Sequence, residues 1–75
     1  MEKIENWSAA KIKSELILAG VSQSEIAREC EVSPTQVYRV LRGAVSEHIR
    51  FRVARAIRRD VKDIWPEYYL KKQVM

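Results

Sequence analysis

The run Gln23-Ser24-Glu25-Ile26-Ala27-Arg28-Glu29-Cys30-Glu31-Val32-Ser33-Pro34-Thr35-Gln36-Val37-Tyr38-Arg39-Val40-Leu41-Arg42 decides how this chain folds. Two helix starts sit in or beside it. Ser22-Gln23-Ser24-Glu25 is a capping box, a serine whose hydroxyl accepts from the third helical amide while the glutamate there reaches back to the serine amide. Ser33-Pro34-Thr35-Gln36 is a second such start, with Pro34 at the first helical position, where a missing amide costs nothing. Ser33 lies only eleven positions after Ser22. The first helix therefore ends near Cys30, a tight turn follows, and the second helix stops at Gly43. This is the spacing of a helix-turn-helix, spanning about residues 22–43.

Two helices meeting at a steep angle need a small residue where they cross, and Ala27 supplies it, with Ile26, Cys30 and Val32 behind it. In the second helix Val37, Val40 and Leu41 recur at i, i+3 and i+4 and point inward. Thr35, Gln36, Tyr38, Arg39 and Arg42 are then left on the outer and flanking faces. An amide such as Gln36 and a guanidinium such as Arg39 bond bidentately to adenine and guanine edges in the major groove. The groups on this face suit a reader of double-stranded DNA.

Working outward, Asn6 or Ser8 caps a first helix whose Ala9, Ile12, Leu16 and Ala19 fall at helical spacing and which ends at Gly20. A fourth helix starts at Ser46. Its stripe Ile49, Val53, Ala56 and Ile57 points inward, with Arg50, Arg52, Arg55, Arg58 and Arg59 facing elsewhere. The chain breaks near Asp60, Val61–Ile64 forms one short turn, and Pro66 restrains Trp65 from the helical conformation. Glu67-Tyr68-Tyr69-Leu70-Lys71-Lys72 is either a short helix or a packed tail. The expected fold is all-α, a compact bundle of four to five short helices in a single domain over residues 1–75.

Charge is unevenly spread. The chain carries a net charge of +4, and residues 39–59 hold seven arginines against one acid, Glu47. Clustered positive charge suits a polyanion, because each neutralised phosphate releases condensed counterions. One cysteine and one histidine allow neither an internal disulfide nor a four-ligand zinc site, so no metal or cofactor is expected. A chain with so few candidate groups offers no nucleophile–base pairing and no phosphate-cradling glycine loop, and no catalytic residues are assigned. Apolar runs fall far short of the roughly 20 residues that span a membrane, and no signal-peptide pattern opens the chain. A cytoplasmic, nucleoid-associated protein is expected. Cys30 reads as a small buried hydrophobe, His48 as a surface residue, and Trp7, Trp65, Tyr68 and Tyr69 as core and rim.

The run Ile12…Leu16…Ala19-Gly20-Val21-Ser22-Gln23…Ile26-Ala27…Val32-Ser33…Val37…Arg39-Val40-Leu41-Arg42-Gly43 resembles the lambda-repressor-like helix-turn-helix domains. Trp7 with Ala10, then Ala54, Ala56-Ile57, Ile64-Trp65-Pro66 and Tyr69, is similar to the Ner repressor group of Mu-like phages and its bacterial relatives. The resemblance covers about residues 6–69. It implies that Gln23 and Ser33 touch phosphates, that Thr35, Gln36 and Arg39 read bases, and that Tyr38 and Arg42 serve either task. Arg50, and with it Arg52, is expected to reach the phosphate backbone from the start of the fourth helix. Many such motifs place glycine in the turn, where this chain has Glu31, so either the turn differs or Glu31 points away.

These readings lead to a small transcriptional repressor that occupies an operator on double-stranded DNA, as a homodimer or as side-by-side monomers. Trp65–Tyr69 is one candidate contact between copies, and no small-molecule effector or membrane partner is indicated. The alternative is a protein-interaction module, an antitoxin or polymerase-binding adaptor, whose functional surface is the Trp65–Leu70 end.

Overall fold

Ser8 opens the first helix by accepting from the Lys11 amide at 3.1 Å, and polar starts of this kind recur along the chain. The computed structural model describes residues 5–73, with side chains for residues 5–69. In chain order the helices are α1 (Ala9–Ala19), α2 (Gln23–Cys30), α3 (Pro34–Leu41), α4 (Glu47–Ala56), α5 (Val61–Ile64) and α6 (Pro66–Gln73). No strand occurs among the described residues. The architecture is the expected all-α bundle, with six helices among the described residues rather than four to five, because Val61–Ile64 and the segment from Pro66 each form one.

Both capping boxes close. Ser22 and Glu25 exchange side-chain and backbone bonds at 3.0 Å each, and Ser33 and Gln36 do the same at 3.2 and 3.3 Å. Ser46 begins α4 without a side-chain cap bond. Asp60, expected only as a break, starts α5 by accepting from Lys62 N at 3.1 Å.

The stops explain the turn. α1 ends on Gly20 at φ +76°, and α2 ends on Glu31 at φ 59°, with Val32 N donating to the Ala27 carbonyl at 2.9 Å. The turn thus keeps the left-handed geometry that glycine usually fills, at a cost of about 1–2 kcal/mol for a residue with a Cβ, and the Glu31 side chain is exposed.

α2 packs on α3 and α4, and α1 closes over both of the latter. Ala27, 2% exposed, lies in the core between Ile26 and the buried Val37, Val40 and Leu41. Ile12 and Leu16 of α1 are buried with them, but Ala19, placed by its spacing on the same stripe, is exposed.

Not every arginine of α4 faces outward, contrary to expectation. Ile49 and Val53 point inward as expected, but Ala54 and Arg50 are buried beside them, while Ala56 and Ile57 are only half-buried. Arg50 is 2% exposed. Its Cζ lies 5.0 Å from the Trp65 ring centroid, 4.9 Å from Tyr68 and 5.7 Å from Tyr69. The reason is tertiary. α5 packs on α4 and α6 on α5, so the chain's last helices cover a flank of α4 that its own sequence marks as polar. Trp65, itself 1% exposed, is core.

The two ends of the described chain are clasped together. Trp7 N donates to the Ile64 carbonyl at 2.9 Å, Asn6 N to Glu67 Oε2 at 2.9 Å, and Glu67 N to Asn6 Oδ1 at 3.0 Å.

Candidate nucleic-acid interface

α3 presents one polar side. At about 100° per residue, the buried Val37, Val40 and Leu41 define its inner face, which sets Thr35, Arg39 and Arg42 opposite them. Gln36 and Tyr38 fall on the two flanks. All five are exposed. A helix needs this combination to enter a major groove: an apolar back held by the fold and a polar front free to meet base edges.

The flanks differ. On one, Gln36 is already partly committed, since its Oε1 accepts from Ser33 N at 3.2 Å. Beside it a hollow of about 260 Å³ is shared by Gln36, Arg39, Val45 and His48. On the other flank, Arg42 Nη1 donates to the Tyr38 hydroxyl at 3.0 Å, and its Cζ lies 5.7 Å from the Tyr38 ring. That hydrogen bond, with the Arg42 and Lys13 charges, holds the Tyr38 phenol below its ordinary range and raises Arg42 in return.

Lys13, from α1, stands 5.8 Å from the Tyr38 ring centroid. Sequence reasoning missed it. Nothing in the helix-turn-helix run points to Lys13; only the packing of α1 on α3 brings it to this edge.

Gln23 is the first residue of α2 and is half-buried, and Ser33 is the exposed cap of α3. Both thus stand at helix N-termini, where exposed amides and the helix dipole favour anions.

Of the two α4 arginines expected to reach the phosphate backbone, Arg50 is not available to it. Arg50 is inside the core. Arg52 is held by an ion pair with Glu29 of α2, the one ion pair among the described residues. The hydrogen bond and charge of Arg52 hold the Glu29 carboxyl below its ordinary value. Further along, Arg59 and Lys11 flank the Trp7 ring at 5.5 and 4.2 Å. Arg55 and Arg58 are exposed.

His48 Nε2 donates to the Cys30 carbonyl at 3.4 Å, linking the start of α4 to the end of α2. Burial raises the Cys30 thiol above its ordinary value, which keeps it protonated and unreactive near neutral pH. Among the described residues no helix is long and apolar enough to cross a membrane.

A scan of protein families matches residues 6–74 to the family described as winged helix-turn-helix DNA-binding. Neither the curated proteins nor the solved structures compared gave a match. No wing strand forms among the described residues; from Leu41 the chain turns through Arg42–Ser46 directly into α4. The match covers nearly the whole chain and includes both helices of the motif, so this protein belongs to the winged helix-turn-helix DNA-binding family.

Proposed function

We propose that this protein is a sequence-specific regulator of transcription, a small repressor that occupies an operator and excludes polymerase. The observation that carries the reading is the division of α3 into a buried apolar back and an exposed front of Thr35, Gln36 and Arg39, flanked by Tyr38 and Arg42. Thr35, Gln36 and Arg39 read bases; Gln23 and Ser33 contact phosphates; Tyr38 and Arg42 serve either. The reading assigns no catalytic role and no cofactor, and it places the protein in the cytoplasm on DNA.

The finer kinship, to the lambda-repressor-like domains and the Ner group, is supported by how the residues of that resemblance assemble. Trp7 bonds to Ile64, and Ile64, Trp65 and Ala54 share the core. The interaction-module reading loses much of its surface. Trp65 is buried and Tyr68 and Tyr69 are half-buried, so they offer little to a partner or to a second copy; the Leu70 side chain lies outside the described residues. Copies bound side by side would instead meet through other surfaces, among which Leu18 and Phe51 are exposed apolar groups.

A mobility-shift assay with genomic fragments, followed by transcription from a promoter containing the bound fragment, tests the proposal. Retarded fragments that resist unrelated competitor DNA, and transcripts that fall as they are bound, are expected. Retardation abolished equally by any competitor would refute sequence-specific regulation.

A further inference from the structure

We infer that Gln36 reads a guanine, although a glutamine on a recognition helix ordinarily pairs with adenine. The inference rests on the base-reading role proposed above for α3.

Adenine recognition by an amide is bidentate: the amide nitrogen donates to N7 while the amide oxygen accepts from the exocyclic amine. Both ends of the amide must face the same base edge. In this protein the oxygen end is already engaged at the start of the helix. Gln36 is the third residue of α3, and Oε1 is turned back to accept from Ser33 N at 3.2 Å. The identity of that atom follows from chemistry, because a backbone N–H can be met only by the oxygen end of the amide. Ser33 closes the same box by accepting from the Gln36 backbone N at 3.3 Å, which fixes the turn from which the Gln36 side chain departs.

One lone pair of Oε1 is thereby engaged, and the end of the amide wholly free for a base is the Nε2 amino group, with two donors. Guanine offers N7 and O6, two adjacent acceptors with no donor between them; adenine offers one acceptor beside a donor that would face the Nε2 hydrogens. One turn further along, Arg39 lines the same hollow as Gln36 and carries donors only. The two side chains therefore present a continuous donor surface to the groove, and its complement is a run of guanine acceptors.

Selection of bound sequences from a random duplex library, run with the parent and with Gln36→Ala and Gln36→Glu, tests this. The position read by Gln36 is the one whose preference disappears in Gln36→Ala. In the parent it is expected to be guanine, favoured over adenine by about tenfold. Gln36→Glu keeps the capping box but exchanges the free donors for an acceptor, so preference there should move to cytosine, whose amine donates, while other positions keep their bases. Replacing the guanine by 7-deazaguanine should weaken the parent and leave Gln36→Ala unchanged. Helical circular dichroism confirms that each variant is folded. Any base other than guanine at the Gln36-dependent position, or no such position, overturns the inference while base reading by α3 stands. An enrichment of no sequence at all refutes base reading itself.

Discussion

α3 and α4 are neighbouring short helices with arginines on both, yet they place those charges in opposite ways. Arg39 of α3 and Arg42 at its C-cap are exposed, whereas Arg50 of α4 is nearly as buried as the aliphatic residues around it. The difference comes from what covers each helix. α3 has apolar neighbours on its inner side only, so its polar front stays free. α4 receives a second layer, as α5 and α6 bring Trp65, Tyr68 and Tyr69 around the Arg50 guanidinium. Desolvating an ion costs several kcal/mol, and Arg50 Nε and Nη1 find no hydrogen-bond partner among the described residues. Three ring faces, each contributing about 0.5–2 kcal/mol, and the packing of the aliphatic stem offset that cost. Two arginines of one charge cluster can therefore stand in entirely different places, one exposed to solvent and the other holding α5 and α6 against α4.

The comparison breaks most visibly at Arg50. Arg50→Ala should remove the packed stem and empty the space between the rings, lowering stability by about 2–5 kcal/mol in urea unfolding. Arg50→Met keeps the stem without the charge and should stay within about 1.5 kcal/mol of the parent. An Ala variant as stable as the parent would remove the fastening role. Next in size, Ala27→Leu should cost about 1–3 kcal/mol by overpacking the α2–α3 crossing that holds the front of α3 in place. An unchanged melting temperature would mean that this crossing tolerates bulk and does not set the angle of α3.

A smaller effect concerns the turn between α2 and α3. Glu31→Gly should raise stability by about 0.5–1 kcal/mol, since relief of the left-handed strain is partly cancelled by the extra freedom of the unfolded glycine. A loss of stability would show that the carboxylate itself is needed there. The smallest effect is the pH dependence of the Arg52–Glu29 pair. The Arg52 hydrogen bond holds Glu29 below its ordinary 4.5, so its contribution is complete above that value and is lost as pH falls through the lower folded value. Glu29→Gln should thus be slightly less stable than the parent near neutrality and equal to it in strong acid. Unfolding midpoints that differ equally at both pH values would contradict the pairing.

How much of this was legible depends on the range of the contacts. Helix starts are local chemistry, and Ser8, Ser22 and Ser33 all open helices where their neighbours foretell it. The front of α3 was legible for the same reason, because Val37, Val40 and Leu41 alone decide which way it faces. Arg50 was not. An arginine between Ile49 and Phe51 reads as polar, and only the return of the chain some fifteen residues later puts aromatic rings over it. Lys13 and the Arg52–Glu29 pair were illegible for the same reason, as each joins elements far apart in sequence. The Asp60 cap is local chemistry too, but an aspartate after two arginines reads equally as the end of one helix and the start of the next.

The central claim is that the front of α3, and not the buried cation of α4, recognises DNA. Its most direct test is the affinity of the parent, Arg39→Ala and Arg50→Met for the selected duplex and for a scrambled one. Arg39→Ala should weaken the selected duplex by about tenfold or more and change the scrambled one little, while Arg50→Met binds both as the parent does. Equal loss on both duplexes for Arg39→Ala, or a salt slope reduced by about one phosphate in Arg50→Met, would contradict it.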